Sequence, residues 1–355
     1  MNVAVIGGGI NGVMSVWALA LRGHSVDLFE RDRLMGATSS ASTKLLHGGL
    51  RYLEQGHIRL VTEALHERRW WMMRAPHLVK RLRVMLPVYE KKGRPQWILR
   101  GGLSLYEWLA GNASLGKWKW HARKEMVCPC DGLQMEGLHG AFEFYEAQMD
   151  DLALGLWAAE NAATAGVRIQ TGTPVGAISP DAGVQIHGKW NHFDRVVNAA
   201  GPWARDLLDV SGIRTRRDLD LIRGSHIVLD LSCEVGYLLQ APSDGRLCFV
   251  LPHQKRTLVG TTEVRQQLSD LIQCSSEETS YLLELYRYYF PSRTVSLCGS
   301  FSGLRPLIRS HSSPNKVTRE YAFEKTRKVI SVFGGKWTTS RILGLRVAEA
   351  AAREV

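Results

Sequence analysis

Residues 2–30 read NVAVIGGGINGVMSVWALALRGHSVDLFE, and the order of residue types in this stretch decides the architecture of the chain. The apolar run NVAVI at 2–6 suits a strand buried on both faces of a parallel sheet. It runs into Gly7-Gly8-Gly9-Ile10-Asn11-Gly12, a G-x-G-x-x-G spacing. VMSVWALALR follows with apolar residues at helical density and stops at Gly23, a helix C-terminal signal. A second strand, SVDLFE, ends at Glu30.

Strand, glycine turn, helix and an acid about 20 residues on form the context in which this spacing binds a dinucleotide. Gly7 permits the tight turn, Gly9 lets the backbone meet a pyrophosphate, and Gly12 lets the helix pack on the strand. With Asn11 they sit at the helix N-terminus, whose free N–H groups stabilise phosphate charge. Glu30 is placed to accept the hydroxyls of an adenosine ribose. Its acidity disfavours a 2′-phosphate, which leaves FAD or NAD.

The next stretch separates these two. Residues 39–56 read SSASTKLLHGGLRYLEQG, where a nicotinamide-binding chain would proceed to a third strand. Ser39, Ser40, Ser42, Thr43 and Lys44 offer donors to pyrophosphate and ribityl oxygens. His47 precedes Gly48-Gly49, a pair that lets a planar ring lie against backbone. FAD, held without a covalent bond, is the expected cofactor.

At these residues the chain resembles the FAD-dependent glycerol-3-phosphate dehydrogenases, within the D-amino-acid-oxidase-like flavoprotein superfamily. The similar stretches are IGGGINGVMS at 6–15, SSASTKLLHGGLRYLE at 39–54, VVNAAGPWA at 196–204, IRGSHIVLD at 222–230, VGTTEV at 259–264, SGLRPL at 302–307 and VFGGKWTT at 332–339. They fall in the family's order across nearly the whole chain. Trp337 stands where the family usually has leucine, and Glu263 where aspartate is usual. The helical domain that commonly follows the last motif in the family is expected to be missing.

The motif order implies an α/β fold with interleaved domains. A Rossmann-like FAD-binding domain is expected from residues 1–75, 145–215 and 300–355, and a mixed-sheet substrate domain from 76–144 and 216–299. RGSHIVLDL, RLCFVLPH and TLVGTTEV carry the β-branched and apolar residues of the second sheet. Gly201 closes a flavin-domain strand. Gly334, Gly335, Lys336 and Thr338 belong to a glycine turn before a closing helix, whose N-terminus suits the charge that develops on a reduced flavin.

The resemblance implies oxidation of sn-glycerol 3-phosphate to dihydroxyacetone phosphate, with electrons passed to a quinone or another acceptor. Arg51 and Arg305 are the candidates for the phosphate, since two guanidinium forks can enclose one dianion. Tyr52 is placed to donate to the same ligand, and Thr261 and Thr262 to complete the pocket. His226 has the ordinary pKa range of a general base, with a purely orienting role as its rival. Lys336 is expected beside the flavin and the substrate oxygen. His47 reads as a flavin contact at one remove. Two alternatives stay open here: a flavoenzyme acting on a 2-hydroxy or amino acid, and a non-catalytic flavin-binding subunit of a larger assembly.

Composition bounds the rest. The chain has 355 residues, 45% hydrophobic and 22% charged, which suits two folded domains. Lys plus Arg number 45 against 34 Asp plus Glu, a net +11 that suits an anionic substrate or membrane surface. Cysteines at 128, 130, 233, 248, 274 and 298 show no paired metal-ligand spacing, so no metal site is expected. Scattered thiols, a first strand at residue 2 and no apolar run of about 20 residues imply a cytoplasmic chain. Residues 68–100 interleave arginine and lysine with Trp, Met and Leu. They read as a solvated basic face, or as a patch for the inner face of an anionic membrane. Nucleic-acid binding is not expected, because no nucleic-acid-binding motif accompanies the charge.

Overall fold

A computed structural model describes residues 1–54, 56–90, 93–126, 132–309 and 321–353, with the backbone but not the side chain of Arg51. The opening strand, Asn2–Ile6, lies at the centre of a six-stranded sheet. It pairs in parallel with Ser25–Phe29 on one side and Arg195–Asn198 on the other. Parallel neighbours need a crossover, and the helix Ile10–Ala20 supplies it. Arg168–Gln170 extends the sheet beyond Ser25–Phe29, while Val329–Gly334 and then Tyr321–Thr326 extend the other side.

The apolar spacing in these elements accounts for the core. Val3, Val5, Val13, Leu19, Val26, Leu28, Leu343 and Val347 have no exposed surface. Burial of each such side chain contributes about 1.5–3 kcal/mol. Ile10–Ala20 packs between the closing helix Ser340–Ala352 and the helix Asp151–Thr164. The strand order reverses at Asn2–Ile6, and a crevice opens beyond its carboxyl end, the usual ligand position in such sheets.

The second sheet has ten strands and is mixed. Its path runs Val264–Arg265, Leu219–Leu229, Arg256–Gly260, Leu247–His253, Gly236–Gln240, Val79–Tyr89, Leu138–Met149 and Leu45–Leu46. Gly236–Gln240 and Val79–Tyr89 run in parallel, and the other pairings along this path are antiparallel. Leu297–Ile308 joins the side of Leu219–Leu229 along its whole length. That pairing sets Arg305 opposite Ile222 and His226 opposite Phe301. An α/β chain with a mixed second sheet is the expected class. Leu45–Leu46 carries the first segment of the chain directly into this sheet.

Residues 68–100 depart from a continuous basic or interfacial face. In the helix Ile58–Arg74, the i, i+3 and i+4 positions Val61, Ala64, Leu65, Arg68 and Trp71 all turn inward. Arg68 is buried in an ion pair with Glu146, Nη1 to Oε2 at 2.7 Å, and Trp71 is buried beside it. Neither can meet solvent or a lipid headgroup. The exposed large apolar groups here are Met73 and, on the amphipathic helix Gln96–Ala110, Trp97, Ile98, Leu105 and Trp108. No helix among the described residues is long and apolar enough to cross a membrane. Cys128 and Cys130 lie outside the described residues, and Cys233, Cys248, Cys274 and Cys298 are free thiols.

Candidate active site

The crevice beyond Asn2–Ile6 is a cavity of about 430 Å³. Gly7, Gly9, Asn11, Glu30, Ser39 and Gly201 line it, and Gly334, Gly335 and Lys336 close one end. Steric reasons for the glycines are visible. A Cβ at Gly7, where φ is +107°, would stand 2.5 Å from the Ala199 carbonyl oxygen. A Cβ at Gly12 would stand 1.8 Å from the Gly7 carbonyl oxygen. Gly12 therefore acts from behind the cavity wall, by letting the helix approach the strand.

Glu30 lies at the far end, where its carboxylate accepts from the N–H groups of Gly8 at 2.6 Å and Asp32 at 3.0 Å. Ser39 Oγ accepts from the Ile10 N–H at 3.0 Å, tying the hydroxyl-rich loop to the first turn of the helix. Asn11 donates to the Gly334 carbonyl at 3.1 Å, while its own buried Oδ1 has no hydrogen-bond partner among the described residues. A buried acceptor of this kind calls for a donor. An acid for ribose hydroxyls, an open glycine turn and an amide oxygen awaiting a donor fit the adenosine and pyrophosphate portion of FAD.

A second cavity, of about 270 Å³, adjoins the first and shares Thr38, Pro306, Gly335, Lys336 and Trp337 with it. Its walls bring together His47, Gly49, Tyr52, His226, Thr261 and Arg305. Thr38, Ser42, Thr43, Thr338, Glu146, Arg246 and Glu263 add to the polar lining. Arg305 donates from Nη2 to the Thr262 carbonyl at 2.8 Å and faces Glu263 at 3.6 Å. The Lys336 ammonium stands 3.9 Å from the centre of the Tyr52 ring, a cation–π contact that fixes it at the junction of the cavities. Arg51 belongs to the short helix Leu50–Leu53 next to Tyr52, and its side chain lies outside the described residues.

His226 is buried, stacks on Phe301 at 4.9 Å, and sets Nε2 3.0 Å from Thr43 Oγ1. Burial, together with the nearby charges of Arg305 and Lys44, lowers its pKa from 6.5 to about 3. The imidazole is therefore neutral in the folded protein and able to accept a proton. The unfolded chain binds that proton below about pH 6.5. Between pH 6.5 and about 3 the unfolded state holds the extra proton, so acid withdraws stability through this window. The slope is at most about 1.4 kcal/mol per pH unit. Urea unfolding of His226→Gln should show a shallower loss of stability from pH 6.5 to 4 than the parent. Parallel curves would place the acid sensitivity elsewhere.

Some sequence candidates stand behind the cavity walls instead of in them. Lys44 takes a left-handed backbone (φ +60°) that turns its ammonium inward, to Asp151 at 2.6 Å and the Ser40 carbonyl at 2.7 Å. Ser42 lines the cavity, but its hydroxyl donates to the same carboxylate at 2.7 Å. The Ser40 hydroxyl donates to Ala37 within its own turn. Thr262 Oγ1 donates to Glu278 at 2.5 Å, so its carbonyl rather than its hydroxyl serves the site. The Gly48 N–H donates to Tyr106 Oη at 2.9 Å, and that hydroxyl donates to Glu146 at 2.6 Å.

Asp151, Tyr106, Glu146, Arg68 and Glu278 were not visible as site residues in the sequence. They form a layer of buried polar groups that holds the loops in shape. Two of them carried a signal: Asp151, an acid in the first turn of a helix directly after a strand, and Glu278, the acid of a Ser-x-x-Glu helix start.

The chain's likenesses accord with this geometry. It is 36% identical to a glycerol-3-phosphate dehydrogenase of Pseudomonas aeruginosa, over 100% of this chain and 71% of the relative. It is also 36% identical to a D-erythritol 1-phosphate dehydrogenase of Brucella abortus, over 97% of this chain and 72% of that one. The solved glycerol-3-phosphate dehydrogenase of Bacillus halodurans, complexed with FAD, superposes with a TM-score of 0.80 at 26% identity. This chain is covered to 99% in that comparison and spans 64% of the Bacillus chain. The model of the FAD dependent oxidoreductase family (DAO) matches residues 2–350, so the chain belongs to the FAD-dependent oxidoreductases of that family.

Proposed function

We propose that the chain oxidises the secondary alcohol of sn-glycerol 3-phosphate to the ketone of dihydroxyacetone phosphate. The observation that carries this reading is the gathering of Arg305, His226 and Lys336 around one cavity that opens onto the cofactor cavity. Bound FAD supplies the hydride acceptor. Gly7, Gly9, Asn11, Glu30, Ser39 and Gly201 hold its adenosine and pyrophosphate portion. Gly49, Gly334, Gly335 and Lys336 meet its ring end, with Thr338 and His47 beside them.

Arg305 takes the phosphate as a planar fork of donors, with Tyr52 beside it in the cavity wall and Arg51, its neighbour in sequence, as the second candidate cation. Thr261 closes the wall, and the Thr262 carbonyl orients Arg305. His226 accepts the hydroxyl proton and Lys336 holds the oxygen as charge develops on it. The depressed pKa of His226 couples these roles. A phosphate dianion neutralises Arg305, one of the charges that hold the imidazole near 3, and so strengthens the base when substrate is bound. Residues 1–75, 145–215 and 300–355 serve the cofactor in this reading, and 76–144 and 216–299 serve the substrate.

The acceptor we propose is a quinone. A third cavity, of about 690 Å³, shares Leu50, Leu238, Arg246 and Leu247 with the substrate cavity; leucines, Pro87, Val88 and Ile98 form half of its remaining wall, and glycines with Glu54, Tyr89, Arg94, Gln240 and Tyr289 form the rest. The exposed Trp97 and Trp108 belong to the helix that flanks it, which supports reversible residence on the inner face of an anionic membrane.

Anaerobic mixing tests the substrate reading. Glycerol 3-phosphate should bleach the flavin faster than a longer polyol phosphate, and 2-hydroxy acids and amino acids should leave it yellow. Rapid bleaching by an acid without phosphate would overturn it. Reoxidation by a short-chain quinone should outpace that by ferricyanide, and Trp97→Ser with Trp108→Ser should abolish salt-sensitive sedimentation with anionic vesicles.

A further inference from the structure

Five tryptophans form an unbroken series of ring contacts that begins in the cofactor site. Trp337 lines both cavities where they meet, and its Nε1 donates to the Ser39 carbonyl at 2.8 Å. Trp71, fully buried, meets Trp337 edge to face at 5.3 Å between centroids and donates to the Thr338 carbonyl at 3.3 Å. From Trp71 the series divides to Trp157 at 6.3 Å and Trp70 at 5.0 Å. Both branches converge on Trp17, at 5.9 and 6.0 Å. Trp17, Trp70 and Trp157 are each half-buried, so the series ends at solvent.

Edge-to-face pairs account for good packing. Packing alone does not require that the series start at the cofactor, remain continuous through a fully buried ring and emerge at the surface. We propose that Trp337, Trp71, Trp157 and Trp17 form a one-electron route that carries oxidising equivalents from the flavin pocket to the surface. The inference rests on the FAD reading above. An indole gives up an electron far more readily than it accepts one, so this route carries holes outward and not the electrons of the substrate.

In the test reaction Trp337 gives one electron to the light-excited oxidised ring and becomes a radical cation. Trp71 refills Trp337, Trp157 refills Trp71, and Trp17 refills Trp157. Trp17 then releases its N–H proton to water, or is refilled by an external thiolate. By the thiolate branch, two such passages move two electrons inward; two thiols lose two electrons and two protons and end as one disulfide, and the reduced ring takes up protons from solvent. The guanidinium groups of Arg341 and Arg74 lie 4.9 and 5.9 Å from the Trp70 ring and disfavour positive charge there. The branch through Trp157 is the favoured one.

The test uses the FAD-loaded protein without substrate. Bound-flavin fluorescence lifetime reads the first step, and anaerobic bleaching under blue light with added dithiothreitol reads the whole route. Trp337→Leu should lengthen the lifetime several-fold and slow the light-driven bleaching at least tenfold. Trp157→Phe, remote from the cofactor, should keep the short lifetime yet slow the bleaching, and its transient absorption should show a tryptophan radical that decays faster. Tyr52 also lines the pocket, so Tyr52→Phe is the internal control. Lifetimes unchanged in Trp337→Leu, or lengthened only in Tyr52→Phe, overturn the proposal, as does bleaching unaffected by Trp157→Phe. Should Trp337→Leu not fold, the Trp157→Phe arm decides alone. A protein that binds no FAD overturns the cofactor reading, whereas one that binds FAD and ignores these substitutions overturns only the tryptophan route.

Discussion

Gly12→Ala should bind FAD at least tenfold more weakly than the parent and purify with less of it. The added methyl would sit 1.8 Å from the Gly7 carbonyl oxygen, a backbone atom, and its own position is fixed by the backbone. No side-chain rotation relieves such a contact, so the helix Ile10–Ala20 must back away from the strand. That movement opens the turn proposed to hold the pyrophosphate, and it pulls Ile10 from Ser39. A tenfold loss corresponds to about 1.4 kcal/mol, and an overpacked core contact alone costs about 1–3 kcal/mol. The ratio of flavin to protein absorbance reads the result directly. Gly299→Ala is the matched control, since nothing lies within 4 Å of its added methyl. Equal FAD in Gly12→Ala and the parent would show that close approach of helix and strand is not what forms the site.

The same glycines explain why the cofactor domain was legible before its structure. Strand, turn, helix and acid occupy residues 2–30, and each reports on its neighbours. The fold at this end is local, so periodicity and spacing disclose it. The mixed second sheet was legible only as a class, from β-branched residues, because its register is set by pairings far apart in sequence. Arg305 faces Ile222 through one of these, and neither residue signals the other.

The charged residues were the least legible. Lys44 and Arg68 carry the composition of a ligand-binding loop and a basic face, yet both are buried in ion pairs. Lys44 pairs with Asp151 across 107 residues, and Arg68 with Glu146 across 78. A sequence shows each charge but not its partner. Burying a lone cation costs several kcal/mol, so a buried lysine or arginine implies an acid, but where that acid lies in the chain is a tertiary fact. Trp71 misleads for a related reason. An aromatic beside arginines suits a membrane interface as well as a core, and only the helix phase, which sets Trp71 on the Val61, Ala64, Leu65 side, resolves it.

Arg305→Ala should weaken glycerol 3-phosphate binding by about 30-fold or more while FAD stays bound. Loss of a charge-assisted contact to an enclosed phosphate costs on the order of 2–5 kcal/mol. Here two further terms act in the same direction. The Thr262 carbonyl loses the donor it holds at 2.8 Å, and Glu263 is left to face the incoming phosphate without its cation. Titration of flavin absorbance with substrate measures the affinity separately from turnover. Arg305→Lys restores the charge but not the planar fork, and should recover only part of the loss. The variants also separate anchoring from tuning of the base. Arg305 helps depress His226, so removing its charge should raise the pKa of the imidazole from about 3. The base limb of the kcat/KM profile should then move to higher pH in Arg305→Ala and stay in place in Arg305→Lys. Weakened affinity with an unmoved limb in both would keep Arg305 as a phosphate anchor and remove it from control of the proton. Unchanged affinity would remove the phosphate from this cavity, and with it the reading of glycerol 3-phosphate as substrate.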